Sequence, residues 1–174
     1  MKPVLFLDFD RTLFDTDSLY AWLGEDYFSK ILAIISGKIA EPDFASFLYA
    51  DTIPFLKEMR KSHRLVIVTY SVNTKFTRLK LRGANVTHLV DDILITQRDK
   101  GSEIGSYLLR IGDPGWEHTF VDDAPLNIDE VKRKNPEMCC IRIDRVPLAQ
   151  GIMHDGLMSP DNVVSNLVEL KALL

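Results

Sequence analysis

Cysteine is scarce in this chain of 174 residues: there are two, Cys139 and Cys140, and they are adjacent. Two neighbouring cysteines do not make a disulfide framework, and no cysteine–histidine spacing here resembles a zinc site. Both lie in an apolar segment, where cysteine commonly acts as a small apolar residue. The sequence therefore gives no sign of a disulfide-stabilised scaffold or of a zinc protein.

Long apolar runs are also missing. The most apolar stretch, residues 31–35, is much shorter than the roughly 20 residues that a membrane-crossing helix needs. The opening residues reach Asp8 and Asp10 before the hydrophobic region of a signal peptide could form. We expect a cytoplasmic protein that does not cross a membrane.

Positive charge is not in excess either. The chain has 21 lysines and arginines against 25 aspartates and glutamates, a net charge of −4. This balance lacks the electrostatic footprint of a nucleic-acid-binding protein. Hydrophobic residues make up 46% of the chain, enough to bury a sizeable core. The length and composition predict one compact domain with room for a small appendage.

Five short apolar runs recur along the chain, and each of them ends in polar residues. Such runs are typical of strands buried on both faces of a parallel sheet. They lie at 4–7, 65–68, 92–95, 119–121 and 139–143. Helices are predicted over 52–61, 73–82, 102–111, 125–134 and 159–174. The alternation predicts an α/β fold, a doubly wound, Rossmann-like and mostly parallel five-stranded sheet, with ligands at the carboxyl ends of the strands.

Residues 15–50 interrupt this alternation, because they carry no strand signal and are too many for an ordinary loop. Helices are predicted there over 19–35 and 42–49. We interpret 15–50 as a small helical cap over the active-site end, inserted into a core made of 1–14 and 51–174. Helices packed on the side of the sheet are the alternative, since aromatic residues usually build cores. Residues 146–159 are predicted to form a surface connection.

Asp8 and Asp10 directly follow the first predicted strand. Residues two apart in an extended segment point the same way, so both carboxylates are able to face one pocket. Two close carboxylates repel each other and need compensation, which Mg²⁺ supplies through oxygen ligands. One aspartate is then able to attack phosphorus while the other transfers protons. Taken alone, two aspartates after a strand are equally well explained as turn and capping residues.

Polar residues at the other strand ends favour the chemical interpretation. Thr69 ends the second strand and has a hydroxyl to donate to a phosphate oxygen. Lys100 precedes a helix and could neutralise the charge of a phosphoryl group and of Asp8. Asp122 and Asp123 end the fourth strand and could complete a metal site. Each has an ordinary structural explanation by itself, but their occurrence in order at strand ends is poorly explained by chance.

Together, Asp8-Phe9-Asp10-Arg11-Thr12, the strand ending in Thr69, Lys100, and Asp122-Asp123-Ala124-Pro125 resemble the four motifs of the haloacid dehalogenase superfamily of phosphohydrolases. The resemblance covers residues 2 to about 144. It implies a Rossmann-like sheet, Mg²⁺, a small phosphorylated substrate, and a phosphoaspartyl intermediate that water hydrolyses. It carries no indication of oligomeric state.

The resemblance also implies a role for each matching residue. Asp8 would be the nucleophile and a metal ligand. Asp10 would be the general acid and base, with its main-chain carbonyl on the metal, and Thr12 would support the turn and orient Asp10. Thr69 and Lys100 would bind the phosphate. Asp123 matches the metal aspartate best, and Asp122 would be a ligand or hold a water molecule.

Three positions depart from the family pattern. Arg11 stands where many relatives have glycine, and it either adds positive charge near the site or points outward. Tyr70 replaces a small residue or asparagine after Thr69. The second acidic residue of the fourth motif is replaced by Asn127 or shifted to Asp129, which leaves the metal shell open.

Within the superfamily, Asp10 favours phosphoryl transfer, because dehalogenases lack an acid–base aspartate two residues after the nucleophile. Three alternatives stay open: a phosphomutase or phosphotransferase of the same superfamily, a non-catalytic binding module, and a phosphoacceptor signalling domain. Signalling domains of that type lack a forty-residue insertion after the first strand. The sequence predicts a phosphatase and does not identify its substrate.

Overall fold

A single parallel sheet forms the centre of the molecule. The computed structural model describes residues 2–112, 117–145 and 157–174. All pairings between neighbouring strands are parallel, and the strand order is β3-β2-β1-β4-β5-β6. The strands are β1 (Val4–Leu7), β2 (Arg64–Tyr70), β3 (Asp92–Thr96), β4 (Thr119–Asp122), β5 (Cys139–Ile143) and β6 (Asn162–Val164).

Helices follow or separate the strands, as the alternating sequence pattern predicts. They are α1 (Thr16–Leu23), α2 (Tyr27–Ile35), α3 (Thr52–Met59), α4 (Thr74–Gly83), α5 (Lys100–Ile111), α6 (Pro125–Lys134) and α7 (Leu167–Leu173). Two 3₁₀ helices lie at Phe44–Phe47 and Thr87–Leu89. Within the described ranges, none of the helices combines the length and apolar character that crossing a membrane requires. The expected doubly wound α/β fold is confirmed.

Two apolar layers cover the sheet, because alternate residues of each strand face opposite sides. Leu5 and Leu7 of β1 join the layer formed with α3, α4, α7 and the helices between β1 and α3. Val4 and Phe6 join the opposite layer, formed with α5 and α6. All four side chains are at most 1% exposed. The continuous apolar run of β1 is therefore explained by burial on both faces.

The position of β1 between β2 and β4 determines where the polar strand ends meet. Leu7 lies opposite Ile67 of β2 and Val121 of β4. The next residue, Asp8, donates its backbone N–H to the carbonyl of Val121 at 2.9 Å. Asp8 therefore leaves the sheet between the carboxyl ends of the two neighbouring strands.

The prediction of one helix over residues 159–174 is wrong. The chain instead adds a short sixth strand, β6, before the seven-residue helix α7. Asp161 secures the start of β6, since its carboxylate accepts the N–H of Cys140 at 2.7 Å and its own N–H donates to the Cys140 carbonyl at 2.8 Å. The side chain of Asn166 then caps α7 by accepting the N–H of Glu169.

The inserted segment also differs in detail from its prediction. The single helix expected over 19–35 is two helices, α1 and α2, and the chain between them contains Gly24 at φ +72°. Only Phe44–Phe47 is helical within 42–49, as a 3₁₀ turn. A surface connection is predicted at 146–159, and residues 146–156 of it lie outside the described part of the chain.

Apolar side chains of the insertion continue into the core layer on the α4 side of the sheet. Leu19, Leu23, Ile31 and Ile34 belong to that layer, and Phe44 packs edge-on against Phe76 of α4, with ring centroids 5.9 Å apart. The division into a cap at 15–50 and a core at 1–14 and 51–174 stays a prediction.

A tight approach of α5 to α6 provides a test of this packing. A Cβ atom on Gly101 would lie 2.7 Å from the backbone carbonyl oxygen of Glu130, which has little freedom to move. We expect Gly101→Ala to lower the free energy of unfolding by about 1–3 kcal/mol, as overpacking does. Urea denaturation followed by circular dichroism measures this change.

Gly105→Ala, on the same helix, is the matched control. Its Cβ would lie 3.2 Å from the side-chain oxygen of Asn135, which is able to shift. Alanine is also the better helix former, so we expect a change of less than about 1 kcal/mol. Equal stability of the two variants would contradict the close packing of α5 on α6.

Candidate active site

Three carboxylates converge at the carboxyl ends of β1 and β4. Asp8, Asp122 and Asp123 each offer an oxygen, and these oxygens all lie within 4.8 Å of one another. Asp8 is 4% exposed and Asp122 is 0% exposed. Burial raises the pKa of Asp8 well above its usual range, and the neighbouring aspartates add to this effect while Lys100 opposes it. The cluster concentrates negative charge, which nearby cations stabilise.

Lys100 is the cation that the protein itself supplies to this cluster. It is the first residue of α5, it is 2% exposed, and its ammonium donates to Asp8 and, at 2.6 Å, to Asp122. Burial by itself lowers the pKa of a lysine, but the charges of Asp122 and Asp8 outweigh it and raise the pKa of Lys100. Lys100 therefore stays charged and ties the nucleophile candidate to β4.

Hydrogen bonds surround the carboxylate of Asp122. Its Oδ1 accepts the N–H of Ala124 at 2.8 Å, and the side chain of Asn127 donates to both oxygens at 3.0 Å. With Lys100 as a further donor to Oδ2, both oxygens are engaged. Asp129, the other residue considered for this position, lies outside the cluster and binds Arg133 at 2.9 Å. The structure thus brings Asn127, and not Asp129, to the site.

Asp123 has a different environment from its neighbour. No side-chain hydrogen bond holds its carboxylate among the described residues, and it is partly exposed. Burial first, and then the charge of Asp122, raise the pKa of Asp123 to about 7, with Arg11 and Lys100 opposing. Of the two adjacent aspartates, Asp123 has the oxygens that remain open to a bound cation.

Asp10 lies apart from this cluster and has its own donors. Its Oδ1 accepts the hydroxyl of Thr16 at 2.5 Å and the ammonium of Lys80 on α4. The carboxylate is 30% exposed, whereas the side chain of Lys80 is 6% exposed. The two aspartates of the first motif therefore have separate lysine partners, Lys100 for Asp8 and Lys80 for Asp10.

The resemblance implies that Thr12 supports the turn and orients Asp10, and the structure shows the contacts of this residue. Thr12 is fully buried, and its hydroxyl has no hydrogen-bond partner within the described ranges. Its carbonyl accepts two bonds from the guanidinium of Arg145, at 2.8 and 3.0 Å, and Arg145 also binds Asp51 at 2.7 Å. Thr12 contributes through its backbone to the turn that follows β1, and Thr16 and Lys80 bind Asp10.

Thr69 lies at the end of β2, beside β1, with its side chain 1% exposed. Its hydroxyl makes one long bond, 3.4 Å, to the carbonyl of Tyr70. A bond of that length is weak, so the hydroxyl is free to turn toward a stronger acceptor. Tyr70 is 53% exposed and points away from the core.

Arg11 adopts a left-handed backbone conformation, φ +59°, which favours glycine and is uncommon for other residues. Its guanidinium binds Asp17 of α1 through bonds of 2.7 and 3.0 Å, and both side chains are about half exposed. The charge of Arg11 also limits the rise in the pKa of Asp123. It therefore adds positive charge at the site while being held by the inserted segment.

Lys80 and Thr16 are site residues that the sequence did not predict. One signal was available for Lys80: it follows Phe76 by four residues and precedes Leu81, so it falls on the apolar face of α4. A lysine in that position has to find a partner or remain unpaired. Thr16 gave no signal, because a threonine at a helix start is ordinary.

The donor set fits magnesium. Mg²⁺ prefers hard oxygen ligands and commonly takes one or two protein carboxylates together with substrate phosphate. Asp8 and Asp123 offer such oxygens, whereas the oxygens of Asp122 already accept hydrogen bonds from Lys100 and Asn127. A bound Mg²⁺ would offset the charge that one lysine leaves uncompensated.

Solved structures with the same fold span the whole chain. A haloacid dehalogenase-like hydrolase from Burkholderia xenovorans LB400 aligns with a TM-score of 0.80 and 16% identity, over 99% of this chain and 97% of the other. A hydrolase of this type from Bacillus subtilis, determined bound to magnesium, aligns at 0.72 and 14%, over 99% and 98%. The L-2-haloacid dehalogenase from Xanthobacter autotrophicus aligns at 0.67 and 17%, over 99% and 98%.

No protein-family model matches the sequence, and no curated protein matches it either. At sequence identities of 14–17%, the likeness to these solved structures is one of fold. The chain has the fold of the haloacid dehalogenase-like hydrolases, and the resemblance drawn from the four motifs is confirmed at that level.

Thermal stability tests the cation site without any assay of activity. A cation that binds only the folded cluster would, at a concentration about 100 times its Kd, stabilise the protein by about 2.7 kcal/mol, or roughly 5–10 °C in Tm. We expect this rise when MgCl₂ replaces EDTA. Asp123→Asn should abolish the rise, and should also raise Tm in EDTA, because it removes one of three mutually repelling carboxylates.

Asp92→Asn is the control for a lost carboxylate, since Asp92 lies at the opposite end of the sheet, where β3 begins. Its response to MgCl₂ should match that of the wild type. An undiminished response in Asp123→Asn would place the cation elsewhere.

Proposed function

We propose that the protein is a Mg²⁺-dependent phosphomonoester hydrolase that acts through a phosphoaspartyl intermediate on Asp8. The observation that carries the proposal is the separation of two carboxylates: Asp8 lies in the buried cluster with Lys100, whereas Asp10 lies outside it, partly exposed. A nucleophile needs neighbouring cations to accept a phosphoryl group, and an acid–base group needs access to the leaving oxygen. The two environments match these two needs.

In the first step a carboxylate oxygen of Asp8 forms a bond to phosphorus, and the bond from phosphorus to the ester oxygen breaks. The leaving oxygen takes a proton from Asp10 and departs as an alcohol. In the second step Asp10, now a carboxylate, removes a proton from water, and the water oxygen attacks phosphorus. The bond between phosphorus and Asp8 breaks, which releases inorganic phosphate and restores both aspartates.

Lys100 neutralises negative charge on the phosphoryl group and on Asp8 throughout, since it lies between Asp8 and Asp122. Thr69 would donate its hydroxyl to a phosphoryl oxygen from the end of β2. Asp8, Asp123 and the Asp10 carbonyl, with Asp122 behind them, would hold Mg²⁺. When bound, Mg²⁺ supplies charge stabilisation and orientation for the phosphoryl oxygens.

Charge also argues for a phosphate ester rather than a haloacid, although similar folds include haloacid dehalogenases. A haloacid brings a carboxylate to a site that already holds three carboxylates and one buried lysine. Without a divalent cation those charges repel it. A phosphate ester arriving with Mg²⁺ balances the same charges, and Asp10 has a proton-transfer role that dehalogenation does not require.

A panel of phosphomonoesters, assayed with MgCl₂ and with EDTA, tests the proposal. We expect release of inorganic phosphate that depends on Mg²⁺ and falls at least about 1000-fold in Asp8→Asn, because the amide is a poor nucleophile. A 2-chloro carboxylic acid assayed in parallel should release no chloride. The control variant is Asp92→Asn, which should keep full activity.

The outcomes separate the alternatives. Turnover that persists in Asp8→Asn would exclude the phosphoaspartyl route, and chloride release would favour a dehalogenase. Transfer of the phosphoryl group to an added sugar, with little free phosphate, would favour a mutase or phosphotransferase. Tight Mg²⁺ binding without turnover of any ester would favour a non-catalytic binding module.

Replacement of Asp10 tests the second step. Asp10→Asn is unable to accept a proton from water, so we expect slow formation of the phosphoenzyme and a loss of turnover of about 100- to 10,000-fold, the usual contribution of general acid–base catalysis. Phosphoenzyme trapped by acid quench and detected by mass spectrometry should accumulate on Asp8. Rapid steady-state turnover by this variant would remove Asp10 from the mechanism.

A further inference from the structure

Lys80 is a buried charge that the proposed chemistry does not require. It lies on α4, 5% exposed, between the buried residues Phe76 and Leu81. Its ammonium lies over three aromatic rings, at 5.6 Å from the centroid of Phe9, 5.4 Å from Phe14 and 6.0 Å from Phe76. Ring faces attract a cation but do not accept its hydrogen bonds as a carboxylate does.

Asp10 is the hydrogen-bond partner of this ammonium within the described part of the chain, through its Oδ1 atom. The same oxygen accepts the hydroxyl of Thr16 at 2.5 Å. Both donors therefore hold one oxygen, while Oδ2 has no hydrogen bond from the described residues. Two donors, one on α1 and one on α4, hold this oxygen and restrict rotation of the carboxylate, so Oδ2 is presented in a constant direction.

We propose that Lys80 is a positioning residue that orients Asp10, so that Oδ2 points to the leaving-group oxygen. This inference rests on the proposed function, because it assumes that Asp10 transfers a proton to that oxygen. Proton transfer requires hydrogen-bond reach and alignment, and a misplacement of about 1 Å can cost about 100-fold in rate. Lys80 does not contact the reacting atoms and acts through Asp10.

The surroundings of Lys80 make the orientation firm. The lysine side chain packs against the three rings, which confine it between α4 and the segment after β1. Phe9 and Phe14 lie on either side of Asp10 in sequence, and their rings stack at 5.0 Å. The lysine therefore packs against the segment that contains Asp10, so the ammonium and the carboxylate keep a constant relative position.

A purely structural role is the competing explanation, and the energetics distinguish it. Removing one partner of an ion pair is strongly destabilising when the remaining charge is buried, and much less so when water reaches it. Lys80→Met keeps the aliphatic length and places sulfur among the rings, while Asp10 stays partly exposed to water. We expect the Tm of Lys80→Met to stay close to that of the wild type, although activity falls.

Two aryl phosphates that differ only in a para-nitro group make the test specific. The leaving group of p-nitrophenyl phosphate departs without a proton, whereas that of phenyl phosphate needs one. For Lys80→Met we expect kcat/KM, which reports the first step alone, to fall about 10- to 100-fold on phenyl phosphate, with a clearly smaller loss on p-nitrophenyl phosphate. In an Asp10→Asn background, Lys80→Met should cause no further loss of kcat/KM on phenyl phosphate, since both changes act through Asp10.

Lys57→Met is the matched control, because Lys57 is an exposed lysine of α3 on the same side of the sheet. Its kinetics should equal those of the wild type on both esters. Lys80→Gln serves as a second variant if Lys80→Met does not fold, and it should show the same selective loss.

Four results would overturn the inference. Equal losses of kcat/KM on the two esters, or a loss that follows a fall in Tm, would leave Lys80 with a structural role alone. Additive losses in the double variant would separate Lys80 from Asp10. Hydrolysis of neither ester by the wild type, despite a rise in Tm with MgCl₂, would instead count against the proposed function, and the inference would fall with it.

Discussion

The burial of three carboxylates at one edge of the sheet is the constraint on which the rest of this site depends. Asp8, Asp122 and Asp123 repel one another, and burial strengthens the repulsion, so the folded chain has to bring cations to them. Lys100 meets part of this need, and the remaining charge makes the site suited to a divalent cation. The same uncompensated charge makes it a poor place for an anion that arrives without a metal.

The topology concentrates this charge. Because β1 lies between β2 and β4, the residues that follow it have neighbours on both sides, Thr69 from β2 and Asp122 from β4. The α5 helix begins at Lys100, so its first side chain reaches the same edge. Residues far apart in sequence thus meet at the carboxyl ends of parallel strands, where ligands of doubly wound sheets bind.

A second lysine gives the two aspartates of the first motif different surroundings. Asp8 is held by Lys100 within the cluster, and Asp10 by Lys80 and Thr16 outside it. Two carboxylates only two residues apart are thereby separated into a buried one beside cations and a more exposed one with an oxygen to spare. That separation is what a nucleophile and a proton-transfer group require of one short segment.

The sequence predicted β1 and β5 at their observed bounds and α6 from Pro125 to Lys134, because the local signals of these elements are strong. It also predicted the carboxylate cluster and Lys100, from the polar residues that follow one another at the strand ends. It did not determine β6, because a three-residue edge strand has almost no periodicity of its own and depends on pairing with β5. Nor did it assign Asn127 rather than Asp129 to Asp122, since that depends on which side of α6 faces the site. The place of Lys80 on the apolar face of α4 signals a buried lysine, but its partner was not predictable from the sequence. Only the tertiary structure brings α4 against the turn after β1, where the ammonium meets a carboxylate seventy residues away.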